Sequence, residues 1–370
     1  MDIVARKADL LRELQLVQGI VERKNSIPIL SNVLLEASGE SLAVAATDLD
    51  VSLRGSCPAQ VARPGAITLS AKKLYEIVRS LPDSDVHLQI EDDGWASLDC
   101  ARSHFRMAGL PREDFPSLPE AAAGAAPVEL PGAVLRDLIA RTSFAITAED
   151  ARYYLAGALL VLSRDGVALV ATDGHRLSYA RRAAKLKLGE ALRVLVPRKA
   201  VGELQQLLQD EPVSFHQAQN HLVFSVGGRV LASKMIDGQF PAYEKVIELK
   251  GDKVAQLERE ALMAAVRRVS LLSAERSRAI RVGLQEGRLE LTASSPEMGE
   301  ARESVPTEYS GGPVEIGFNA QYLLDFLGSA GTAQVSLELR DSESQGMLRP
   351  VAEGEGESTD HRYVVMPMRL

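Results

Sequence analysis

The sequence predicts an α+β chain made of three repeats of one domain, each with two helices packed on β-sheets. Three observations lead there. A unit of one helix followed by strands recurs three times at a nearly constant interval. A second unit, a strand running into a helix, recurs at almost the same interval. Within each copy, helical periodicity gives way to period-two alternation, twice over.

The first unit is Leu10–Val21 (LLRELQLVQGIV), followed by SNVLLEAS, SLAVAATDLD and VSLRGS. It returns as Val134–Ala145 (VLRDLIARTSFA), leading to GALLVLS, VALVATDGH and RLSYARR. Its third copy is Ala261–Leu272 (ALMAAVRRVSLL), leading to IRVGLQ, RLELTASSP and EARESV. The strand-end residues Thr47, Thr172 and Ser294 are 125 and 122 residues apart. The second unit is ITLSAKKLYEIVRSL, then RVLVPRKAVGELQQLL, then VEIGFNAQYLLDFLGSA. Its helix-opening residues Ser70, Pro197 and Asn319 are spaced by 127 and 122. Two independent landmarks with nearly one period place domains at 1–121, 128–248 and 253–370. The joints are small and flexible at Glu120–Pro127 (EAAAGAAP) and polar and glycine-broken at Glu248–Lys253 (ELKGDK). A chain of 370 residues is also too long for one ordinary core.

Composition excludes several classes. No apolar run approaches the ~18 residues that cross a bilayer, and MDIVARKADLLREL lacks a signal peptide's apolar stretch, so no membrane partner and a cytoplasmic location are expected. Cys57 and Cys100 match neither a metal nor a redox spacing and read as reduced core thiols. No cofactor motif is present: no P-loop, GxSxG or GxGxxG leads from a strand into a helix. Asp173 and His175 invite a catalytic reading, as does Asp48 in the equivalent string. General acid–base work needs a second positioned group or a metal, and none of the six histidines lies in an HExxH. Those residues are expected to set a turn instead. A single-strand nucleic-acid binder would need stacking aromatics; only 5% of residues are aromatic, and the helices offer little beyond Tyr75 and Tyr322.

The net charge of −8 argues, taken whole, against a nucleic-acid partner. Its distribution argues otherwise. The six helical windows together carry +8, so the remainder carries −16. Net-basic helices in a net-acidic chain suggest a phosphate-attracting face and an acidic outer surface, although ordinary amphipathic helices with solvated basic faces would look alike. Helices packed ~8–10 Å apart set a size limit. Six in a circle leave a hole of about 8 Å, too narrow for a duplex, whereas twelve leave roughly 25 Å. One chain cannot encircle DNA, but two can, closing head to tail through the first and third domains.

Particular strings carry a resemblance: NSIPILSNVLLEA (Asn25–Ala37), ATDLD (Ala46–Asp50), RYYLAG (Arg152–Gly157), VATDGHRL (Val170–Leu177), VPRKAV (Val196–Val201), DGQFPAYEKVI (Asp237–Ile247) and the terminal YVVMPMRL (Tyr363–Leu370). Over its whole length the chain resembles the β subunit of bacterial DNA polymerase III, the sliding-clamp family. The resemblance implies a ring-shaped homodimer that encircles double-stranded DNA without reading sequence. It also implies a pocket that captures a short linear motif of the replicative polymerase, the clamp loader and repair proteins. The matching pocket positions are Leu155, Thr172, Gly174, His175, Arg176, Leu177, Pro241, Val246, Met366, Pro367, Met368, Arg369 and Leu370. Read by itself, a terminal strand ending in Met and Leu is core packing; the resemblance assigns it to a binding surface, for which adaptable methionines suit several partners. Glu343 stands where relatives often carry a small apolar residue at the rim, Lys245 where an arginine is common, and Glu149 where relatives often have an uncharged hydrogen-bonder. The segment Pro350–His361 is longer and more acidic than usual. Arg23, Lys24, Arg198 and Lys199 are expected to meet DNA phosphate. Phe105 and Met107, flanked by Lys72, Lys73, Arg102 and Arg106, are expected to meet Leu271 and Leu272, flanked by Glu297, Glu300 and Glu303, across the dimer.

Overall fold

The structure, a computed structural model, describes residues 1–22, 27–91, 94–119, 127–147, 150–248, 250–352 and 359–369. Its helices among the described residues are α1 (Lys7–Leu16), α2 (Ala71–Ser80), α3 (Gly132–Thr142), α4 (Arg198–Leu207), the short α5 (Glu244–Glu248), α6 (Arg259–Ser270) and α7 (Ala320–Ser329). Six of them fall in the six expected windows. The single-turn α5 was not anticipated. Asn319 caps α7 as its position suggests, its Oδ1 accepting from Gln321 N at 2.9 Å. Ser70 precedes α2 without a side-chain cap.

The chain divides into two compact units, Met1–Ala133 with Lys199–Met235, and Val134–Arg198 with Ile236–Leu370. The sequence repeats and these units differ, because the second repeat is cut between Arg198 and Lys199. Sheet pairing explains the cut. In unit one, Arg229–Lys234 of the second repeat pairs antiparallel with Val51–Pro58 of the first, Leu231 opposite Leu53. An eight-stranded sheet therefore runs through both half-repeats. In unit two, Asp360–Val365 pairs with Arg176–Ala183 in the same manner, Tyr363 opposite Ser178, in a second eight-stranded sheet. Period-two alternation identifies such strands, but the partner of an edge strand is a tertiary choice.

Each unit adds a smaller antiparallel sheet. Unit one has a five-stranded sheet that ends in Ser103–Ala108; unit two has a four-stranded sheet that ends in Gly299–Pro306. Helices pack on these layers by one apolar face. In α2 the buried residues Ala71, Leu74 and Val78 fall at helical spacing, which leaves Lys72, Lys73 and Arg79 exposed. In α1 the buried face includes Glu13, whose carboxylate is paired by Arg229 of the neighbouring half-repeat, at 2.5 and 3.1 Å. Gly55 leaves room for that pair, since a Cβ there would lie 2.2 Å from Glu13 Oε2. In unit two, α6 and α7 pack together over a core that contains Phe318, Phe326, Tyr363 and Val365. Both cysteines are free and buried, and burial pushes the Cys57 thiol up to about 12.

Candidate functional site

The VATDGHRL string forms a locked turn between Gly166–Thr172 and Arg176–Ala183. Thr172 Oγ1 accepts from Gly174 N at 3.1 Å and donates to Arg176 O at 2.6 Å. Asp173 Oδ1 accepts from His175 N at 2.9 Å and Arg176 N at 3.0 Å. Gly174 has φ +88°, and a Cβ there would lie 2.5 Å from Arg152 Nη1, which in turn donates to Asp173 O at 2.9 Å. Glycine adopts this positive φ without strain and leaves Arg152 its place beside the turn.

The terminal segment is strapped to the turn. Met366 N donates to His175 O at 2.8 Å, and Met368 N donates to Gly317 O at 2.8 Å on the strand Val314–Asn319. Met366 is 45% exposed, so this tail presents side chains outward rather than completing a core. Beside it, Leu155, Leu177 and Val246 gather with Phe240, Tyr243 and Met347 in one apolar cluster. Gln345 Nε2 fixes Val246 by donating to its carbonyl at 3.0 Å. Next to the tail lies a groove of about 680 Å³, lined by Glu315, Gly317, Ser342, Glu343, Pro367, Met368 and Arg369 among others. Of the expected pocket positions, the groove holds Pro367, Met368 and Arg369, with Glu343 also in its lining, whereas Leu155, Leu177 and Val246 belong to the apolar cluster. Pro241 and Lys245 are exposed beside the cluster; Leu370 lies outside the described residues, as does Glu149.

Arg176, one of the expected pocket positions, lies largely inside unit two. Its side chain is 10% exposed, pairs with Asp173 at 3.0 Å and Asp325 at 2.5 Å, donates to Phe144 O at 2.6 Å and lies over the Tyr322 ring at 4.3 Å. Burial opposes its charge, but Tyr363, Asp325 and Asp173 favour it more, so its pKa rises further. It is an internal strut. Asp173 is likewise occupied by backbone and guanidinium, which agrees with a turn-setting role. Sequence reasoning also passed over Phe240, Tyr243 and Met347, which build the floor. The aromatics were inside the DGQFPAYEKVI string, and their burial on one side of α5 would have been the signal.

The phosphate-contact set divides as well. Arg198 is exposed at the start of α4. Lys199 points inward: its Nζ lies 2.5 Å from Asp48 Oδ2 and 2.6 Å from Ile20 O, so its charge is held inside unit one. Arg23 and Lys24 lie outside the described residues. Among other helix cations, Arg12, Lys72, Arg79 and Arg267 are exposed, whereas Arg268 is bound by Glu303 at 2.5 and 3.0 Å.

Of the expected dimer residues, Glu303 is ion-paired with Arg268 of its own chain. Arg106 is similarly held by Glu91 at 2.7 Å and lies over Trp95. Phe105 and Met107 alternate with exposed His104 and Arg106 on the edge strand Ser103–Ala108. Leu271 is 74% exposed just past α6, and Leu272 is half-buried.

His361, on the strand Asp360–Val365, is buried with its Nε2 3.0 Å from Ser178 Oγ. Burial pushes the imidazole down to about 3, so it is neutral near pH 7.

The fold is α+β, built of repeated units in which helices pack on antiparallel sheets. Three family models match in succession: the DNA polymerase III β subunit N-terminal domain over residues 1–119, its central domain over 129–242 and its C-terminal domain over 244–369. A β sliding clamp of Pseudomonas putida is 42% identical over 374 residues, covering all of both chains, and that of Escherichia coli K12 is 35% identical over 379, again covering both entirely. The crystal structure of a Pseudomonas aeruginosa sliding clamp bound to griselimycin superposes with a TM-score of 0.92 at 42% identity and full coverage of both chains. The chain belongs to the bacterial DNA polymerase III β subunit family, the β sliding clamps.

Proposed function

We propose that two copies of this chain close head to tail around duplex DNA and carry the replicative polymerase and other clients along it. The family membership over the whole length carries this reading. Three like domains per chain, at 1–121, 128–248 and 253–370, supply six helices to the ring's inner face. Clients dock by a short peptide whose Leu or Phe anchors enter the apolar cluster of Leu155, Leu177 and Val246 beside Met366 and Met368. A preformed apolar floor with a few polar groups suits such anchors. The clamp performs no chemistry of its own, since Asp173 and His175 serve the turn. No helix among the described residues is long and apolar enough to cross a membrane, and we place its work with the chromosome in the cytoplasm.

The DNA face should read phosphate and nothing else. With Lys199 held by Asp48, Arg198 carries the contact from the start of α4. Arg198→Ala is expected to lower the salt-dependence slope of loading onto circular DNA by about 0.9. Lys199→Met should leave the slope unchanged and lower thermal stability, because it strands the buried Asp48. Equal slope losses for both variants would reverse this assignment.

Ring closure supports the same function. Ser103–Ala108 and Gly299–Pro306 are outermost strands, and exposed edges invite pairing with another chain. We assign the contact to Phe105 and Met107 on one protomer and Leu271 and Leu272 on the other, with Lys72, Arg102, Glu297 and Glu300 around it. Truncating both leucines to Ala should cost about 2 kcal/mol or more each at the interface. Sedimentation of the double variant at nanomolar concentration should then show monomer, and a persisting dimer would place closure elsewhere.

A further inference from the structure

The turn that organises the client pocket occurs a second time in the chain. In unit one, Thr47 Oγ1 accepts from Leu49 N at 3.0 Å, and Asp48 Oδ1 accepts from Asp50 N at 2.9 Å and Val51 N at 2.6 Å. This repeats the Thr172 and Asp173 bonds one for one. The strap repeats too, with Lys234 N donating to Asp50 O at 2.8 Å where Met366 N donates to His175 O. Leu30 and Phe115 form the buried floor in place of Leu155 and Phe240. Phe115-Pro116 stands in sequence where Phe240-Pro241 stands one repeat later.

Above this floor is a cavity of about 460 Å³, lined by Thr47, Leu49, Pro116, Leu118, Gln219 and His221 among others, all in unit one. No carboxylate lines it among the described residues. Two replacements set it apart from the client pocket. Asp50 and Lys234, ion-paired at 2.9 Å, take the places of His175 and Met366. Leu49 takes the place of Gly174 in the same left-handed conformation, with φ +78°, and is 47% exposed. A leucine in that region is strained, and its exposed side chain gains nothing from folding. Strained residues of this kind gather at binding surfaces.

We propose that this cavity is a second docking site for client peptides, taking a single Leu or Phe anchor with uncharged flanks against Leu49 and Leu118. The proposal rests on the client-pocket reading, because the equivalence of the two turns supplies the class of occupant. The second site lacks a polarizable tail residue, so it binds about tenfold more weakly or less tightly still. Two footholds on one chain let a client engage by two segments, which raises its residence through effective concentration.

The test is isothermal titration of the full-length dimer with a synthetic peptide bearing one Leu and one Phe anchor, taken to millimolar concentration. Wild type should show a tight and a weak site per chain. Leu49→Gly keeps the left-handed turn and should abolish only the weak site, with an unchanged or raised melting temperature. Truncation of residues 366–370 should weaken only the tight one, by about 100-fold or more. A single site, weakened on truncation and indifferent to Leu49→Gly, overturns the second site and leaves the client pocket standing. A tight site that keeps its affinity on truncation overturns the client-pocket reading instead. Absence of any binding to wild type overturns both.

Discussion

Removing Met366–Leu370 is expected to weaken a Leu/Phe client peptide by about 100-fold or more, near 2.7 kcal/mol, while leaving the dimer intact. The tail offers little to the fold. Its two backbone bonds, from Met366 to His175 and from Met368 to Gly317, strap it across the surface, and Met366 is close to half exposed. What it offers a ligand is one wall of a preformed groove. Few anchors carry most of the affinity in such sites, so losing a wall costs more than its share of area. Ring closure is assigned to Phe105, Met107, Leu271 and Leu272, none of them in the tail. Polymerase stimulation on primed circular DNA should fall with peptide affinity. Unchanged peptide affinity in the truncated protein would place the client site elsewhere.

The repeat made the fold legible. Helix periodicity at three places and Ser70, Pro197 and Asn319 at three more were enough to locate six helices, since both patterns are local. Pairing of half-repeats into shared sheets was not legible, because Leu231 opposite Leu53 depends on residues nearly two hundred apart. The same limit governs the site. The strings around Thr172 and Met366 meet through the bond from Met366 N to His175 O, and Leu155, Leu177 and Val246 gather in one apolar cluster. Sequence cannot tell an exposed cation from one held by a carboxylate: Asp325 on α7 holds Arg176, and Asp48 at the first repeat's turn holds Lys199, whose side chain stays 31% exposed.

Arg176→Met should destabilise unit two by about 3–5 kcal/mol, the usual loss when one member of a buried ion pair is removed. The variant leaves Asp173 and Asp325, 15% and 22% exposed, without the cation between them. It also loses the bond to Phe144 O and replaces a guanidinium over Tyr322 with a thioether. Methionine fills much of the volume, so the loss is electrostatic rather than a cavity. Arg176→Lys keeps the charge without the two-pronged geometry and should lose less. Because Asp173 also caps the turn through His175 N, client-peptide affinity should drop in Arg176→Met at temperatures where the protein remains folded. Urea midpoints, read beside peptide titration, decide the matter. A loss below about 1 kcal/mol would put Arg176 in the class of exposed ion pairs and return it to the pocket's edge.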